Sequence, residues 1–224
     1  MLGLSLFYVL FLLEQTVWIA VVIGIVRFKD LAPKYLPIFL YLLSRAMLEL
    51  WANLIAIYAI DQNNSVPYNI LNLTEALLIT WQLYKFGSFK NRRNIYLFLQ
   101  FFWILLWFTD ILIIGSLKQT STFFHTTHSF ILIFLAANLI SNILISSKQS
   151  LIKNTAFLVC ITFSIWFAYN VLYALARYVM PQVMDKSAIS PKIITFMECS
   201  EMILYLTLAW AIYCIPKKRK LNII

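Results

Sequence analysis

Charge is scarce in this chain. Asp, Glu, Lys and Arg make up 12% of its 224 residues, about half the roughly 25% of an ordinary soluble domain. Glycine and proline are scarcer still, with four and six residues. Gly3, Gly24, Gly87 and Gly115 form no G-x-x-x-G pair that would draw two helices together. Pro33, Pro37, Pro67, Pro181, Pro191 and Pro216 fall in connections or near the ends of apolar runs, where a missing amide donor does little harm. Transporters built on unwound half-helices carry Gly/Pro breaks inside their spans. Their lack here predicts continuous helices. The three cysteines, Cys160, Cys199 and Cys214, show neither a disulfide framework nor zinc-ligand spacing and read as small apolar fillers.

Apolar residues are abundant, at 62% of the chain and a mean hydropathy of +0.82. A bilayer-spanning helix uses about 20 apolar residues, and seven runs qualify, at about 3–26, 35–60, 67–86, 95–116, 122–146, 154–179 and 193–215. The fold class expected is all-α, a single seven-transmembrane-helix bundle over 1–224. The short connections leave no room for a fused kinase, nucleotide-binding or DNA-binding module. Residues 1–20 lack a basic leader segment and a small-residue cleavage site, so they are read as part of a retained first span. The longest connection, about 180–192, reads as an exposed loop.

The net charge of +9 follows topology and is no sign of nucleic-acid binding. Arg27, Lys29, Lys34, Lys85, Lys90, Arg92, Arg93, Lys148, Lys153, Lys217, Lys218, Arg219 and Lys220 fall on one side of the predicted bundle. Only Lys118, Arg177, Lys186 and Lys192 fall on the other. Cytoplasmic loops carry the Lys/Arg excess. The expected orientation has the N-terminus outside and the C-terminus in the cytoplasm of a plasma or bacterial inner membrane.

Six of the nine acidic residues lie within the spans: Glu14, Glu49, Glu75, Asp110, Glu198 and Glu201. An ionisable group at bilayer centre costs about 2.5–3.5 kcal/mol on the lenient insertion scale, so these side chains should turn inward. Arg45, Glu49 and Asn53 recur every four residues and predict a structural ion pair with an amide on one helix face. Asn69, Asn72 and Glu75 recur every three residues, with Gln82 two turns on. Gln100, Trp103, Trp107 and Asp110 form another stripe, and Thr162, Trp166, Asn170, Tyr173 and Arg177 a further one. Glu198, Glu201 and Tyr205 share a face, while Glu14 is a separate intramembrane acid. Depth along the spans gathers Glu75, Asp110, Glu198, Glu201, Asn69, Asn72 and Asn170 towards an outward-facing site.

His125 and His128, three residues apart, offer two metal donors that Asp110 or Glu75 could complete, although zinc motifs normally show more ligands at recognised spacing. Seven spans with an external N-terminus match the plan of rhodopsins and seven-helix receptors as topology alone. A retinal Schiff base needs a lysine in the seventh span, and 193–215 has none, which disfavours retinal.

The leading expectation is a non-enzymatic sensor or receptor-like module. It would bind a small polar or cationic ligand, or protons, among the outer carboxylates and signal to a protein partner at the cytoplasmic face. The alternatives are an intramembrane hydrolase using a divalent metal on a lipid-like substrate, and an ion- or proton-conducting channel subunit. The partners expected are the lipid bilayer and, because output domains are missing, a protein at the cytoplasmic face; nucleic acid is not expected, and a homo-oligomer is compatible with the sequence.

Overall fold

The structure is a computed structural model describing residues 11–31, 33–58, 65–90, 92–115, 121–146, 150–183 and 191–216, without the side chains of 52–58, 173, 175–183 and 191–198. The side chains of Asn53 and Glu198, the basic tail 217–220 and most of the 180–192 connection therefore lie outside the described residues.

Among the described residues the chain is all-helical, with seven α-helices. They are α1 (Val17–Val26), α2 (Leu36–Tyr58), α3 (Ser65–Phe86), α4 (Arg93–Thr109), α5 (Thr122–Ser146), α6 (Thr155–Val183) and α7 (Pro191–Tyr213). Arg93–Ile114, Thr122–Ser146 and Thr155–Leu172 are long and apolar enough to cross a membrane, and Phe11–Val26 and Cys199–Tyr213 are shorter apolar helical stretches. Helix α3, which buries Asn69, Asn72, Glu75 and Gln82, is not among these.

Two helices depart from the continuity expected of them. A turn at Gln15 and Thr16 interrupts the first span, where Thr16 Oγ1 donates to the Leu13 carbonyl at 2.7 Å and Trp18 Nε1 to Gln15 Oε1 at 3.1 Å. Local side-chain bonds of this kind compete with the helical ladder. At its far end α4 widens into a π-helical turn, Asp110–Ile114, closed by Gly115 N donating to the Asp110 carbonyl at 2.8 Å. Neither break involves an internal glycine or proline, the signals that sequence reading relies on.

Packing closes a circuit. Helix α1 lies against α2 and α7, α2 against α3, α3 against α5, α5 against α6, and α6 against α7, while α4 flanks the circuit on α3 and α5. Helix α2 also meets α6, since Tyr41 and Phe163 pack edge to face at 5.5 Å. Leu42, Ile79, Leu83, Leu132, Phe167 and Ile212 fill the core around them. Near one end, a Cβ at Gly24 would meet the Phe39 ring at 2.5 Å, so this single glycine seats α1 on α2 without a G-x-x-x-G pair.

Connections are fixed by satisfied backbone. Helix α3 ends at Gly87, whose φ of +95° suits glycine. Ser88 N donates to the Leu83 carbonyl and Gly87 N to that of Tyr84, the two bonds of a Schellman cap. The buried Gln82 amide accepts from Ile38 N at 3.0 Å and donates to the Lys34 carbonyl at 2.9 Å. It supplies one of the partners that the start of α2 needs.

The distribution of polarity is inverted relative to a water-soluble bundle. Phe98, Phe101, Leu112, Ile113, Phe134 and Ile145 are exposed, whereas Arg45, Glu49, Glu75, Gln82, Asp110 and His128 are buried. Exposed apolar side chains in this number are compatible with lipid contact.

Candidate functional site

Three helices bring ionisable groups to similar depth. Glu49 stands nine residues before the end of α2, and Glu75 and Glu201 stand ten residues after the starts of α3 and α7. At 1.5 Å per residue these positions are about 13–15 Å from the same end of the bundle. The basic connections cluster at the opposite end.

Arg45 is the centre of the arrangement. Its Nε lies 2.8 Å from Glu49 Oε1, one turn along α2, and donates to the Tyr205 hydroxyl at 2.8 Å. Its Nη2 lies 3.5 Å from Glu201 Oε1 on α7. The guanidinium also stacks 5.4 Å from the centre of the Trp166 ring on α6. One buried cation thus joins α2, α6 and α7 and is shared by two carboxylates. The Tyr68 phenol on α3 lies within electrostatic reach of Glu49, Arg45, Glu14 and Glu201, which brings the first helical segment to the same region. Around Arg45, acids therefore outnumber the cation that holds them.

A second pair adjoins the first. His128 Nε2 lies 3.4 Å from Glu75 Oε1, and both residues are buried. His128 Nδ1 lies 3.1 Å from the Phe124 carbonyl, an acceptor, so Nδ1 must carry hydrogen. That leaves two arrangements for the other contact: imidazolium facing carboxylate, or neutral imidazole accepting from a protonated Glu75. Either way the contact joins α3 to α5 through a buried polar dyad. The Tyr41 phenol lies within electrostatic reach of Glu75. Phe124, Trp103 and Phe167 pack around the imidazole with ring centres 5.0, 6.3 and 5.7 Å away, excluding water from the pair.

Asp110 and Asn69 tie helix ends together. Asp110 Oδ2 accepts from Phe124 N at 2.9 Å, and Asn69 Oδ1 accepts from the amide and hydroxyl of Ser121, both at 2.9 Å. These carboxylate and amide oxygens engage donors at the start of α5, the usual service of a cap. The stripe from Gln100 to Asp110 faces inward as its spacing predicts. Gln100 Nε2 donates to the Leu77 carbonyl at 3.0 Å, Trp103 Nε1 to Thr80 Oγ1 at 2.9 Å and Trp107 Nε1 to the Asn69 carbonyl at 2.8 Å.

Asn72 is buried on the face of Asn69 and Glu75. Asn170 is buried one turn beyond Trp166 on α6, and its Nδ2, like Trp166 Nε1, has no hydrogen-bond partner among the described residues. Glu14 is half-buried. His125 and His128 place their ring centres 5.3 Å apart, and among the described residues no three His, Cys, Asp or Glu side chains converge on a metal position. Cys160 is buried and free, as a filler.

Sequence reading missed Tyr41 as a site residue, although it lies one turn before Arg45 on the stripe that continues to Glu49. Tyr68 was missed as well. It lies four residues before Asn72 and seven before Glu75, so helical spacing places it on their face, and the three-residue recurrence from Asn69 passed over it.

No family model matches the chain, no curated protein matches its sequence, and no solved structure matches its fold.

Proposed function

We propose that this chain is an integral membrane sensor whose input is a proton or small cation taken up among the carboxylates around Arg45. The observation that carries this reading is that one guanidinium is shared by carboxylates from two helices, Glu49 at 2.8 Å and Glu201 at 3.5 Å, with Glu14 and Glu75 in the surrounding field. Crowded carboxylates in a low dielectric favour proton or cation uptake. Glu201 is the responsive member. Its contact is longer, and its side chain is 17% exposed against 4% for Glu49. Neutralising Glu201 removes the charge attraction that holds α7 to α2, while Glu49 continues to hold Arg45 on its own helix. The resulting shift of α7 is transmitted to the basic end of the bundle, the cytoplasmic end on the positive-inside rule, where a protein partner would read it. The N-terminus is then external.

The test is the thermal stability of purified protein across mildly acidic to mildly alkaline pH. Wild type is expected to lose stability as Glu201 protonates, and Glu201→Gln to show a flatter profile because that contact no longer titrates. Superimposable pH profiles would overturn the assignment to Glu201.

A further inference from the structure

The seam between α1 and α7 carries a second feature at the opposite end from Arg45. A cavity of about 650 Å³ is lined by Val22, Ile23, Val26, Arg27, Asp30, Tyr213 and Ile215. It shares Ile23 and Tyr213 with an apolar groove of about 290 Å³ that continues along the seam past Leu206, Ala209 and Trp210. Charge is confined to one end of this depression. There Arg27 donates to the carbonyls of Ile212, Tyr213 and Ile215 and lies 3.2 Å from Asp30 Oδ2. The guanidinium closes the C-terminus of α7 and is thereby fixed in place. Lys153 adds positive charge beside it, since Trp210 Nε1 donates to the Ile152 carbonyl at 3.1 Å and so seats the 151–153 turn against this end of α7.

We propose that this seam is a binding site for one glycerophospholipid with a phosphate and a primary ammonium in its headgroup. The phosphate lies in the field of Arg27 and Lys153, the ammonium donates to Asp30, and an acyl chain follows the groove along Ile23, Leu206 and Trp210. A headgroup of both signs matches a rim of both signs, and a polar mouth opening into an apolar groove matches an amphiphile rather than a soluble anion. A quaternary ammonium has no N–H to give Asp30, and an anionic glycerol headgroup has no cation for it. The inference rests on the membrane reading above.

Protein purified from membranes and equilibrated with equal amounts of phosphatidylethanolamine, phosphatidylcholine and phosphatidylglycerol is examined by native mass spectrometry. Wild type is expected to retain phosphatidylethanolamine over either competitor by about fivefold, the ratio given by one hydrogen bond of about 1 kcal/mol. Asp30→Asn is expected to erase the preference over phosphatidylcholine. Val22→Trp, at an exposed position on the cavity wall, is expected to abolish retention of all three. Equal retention of the three lipids by wild type, or unchanged retention by Val22→Trp, overturns the site alone. Recovery of the wild-type chain from the soluble fraction overturns the membrane reading together with it.

Discussion

Arg45→Met is expected to cost about 3–5 kcal/mol of stability, the cost of leaving the partners of a buried cation unpaired. For a chain of this length that corresponds to a fall in Tm of about 10 °C. Methionine fills much of the volume of the arginine stem, so the loss is electrostatic more than a cavity effect. Glu49 sits 2.8 Å from the guanidinium and is almost fully buried; without Arg45 it must either ionise in an apolar surrounding or take up a proton. The diagnostic variant is the triple change Arg45→Met, Glu49→Gln, Glu201→Gln, which removes both stranded carboxylates. It is expected to recover most of the lost Tm, because replacing a whole buried ionic group is far less costly than removing one member. A triple variant no more stable than Arg45→Met would show that Arg45 acts through packing on Trp166 and Tyr205 instead.

The second large effect is expected at the dyad. His128→Leu leaves Glu75 facing apolar side chains, and Glu75→Leu leaves His128 Nε2 without its polar partner. Each single change is expected to cost about 2–3 kcal/mol, the scale for an unsatisfied buried polar group. The double change Glu75→Leu/His128→Leu should cost less than the sum by about 1–3 kcal/mol, the range for residues in direct contact. Thermal unfolding of the four proteins measures the coupling. Additive losses would mean that the 3.4 Å contact does not join α3 to α5 energetically.

Much of the architecture was legible because hydropathy sets helix existence and length. The start of α5 at Thr122 and its end at Ser146 coincide with the expected 122–146 span. Facing was legible where polar residues recur at three or four positions, as with Arg45 and Glu49, or Gln100, Trp103 and Trp107. The grouping of the acids was not legible. Depth along each span put Asp110 beside Glu75, yet the order of helices around the bundle decides which groups meet, and that order is absent from one-dimensional spacing. Asp110 opens a π-helical turn that Gly115 closes, and its carboxylate accepts from Phe124 N, fourteen residues away. Arg45 was legible as half of an ion pair within α2, but its reach to Glu201 and Tyr205 on α7 depends on tertiary packing. The hydrogen on His128 Nδ1 required the Phe124 carbonyl, a backbone acceptor that the side-chain pattern does not reveal.

Infrared difference spectroscopy on bilayer-reconstituted protein, recorded between mildly alkaline and mildly acidic pH, tests the central claim most directly. A carboxylic-acid carbonyl band is expected to grow on acidification in wild type, to be lost in Glu201→Gln and to persist in Asp110→Asn. A band unchanged in Glu201→Gln, or one abolished by Asp110→Asn, would contradict the assignment of proton uptake to the carboxylates gathered around Arg45.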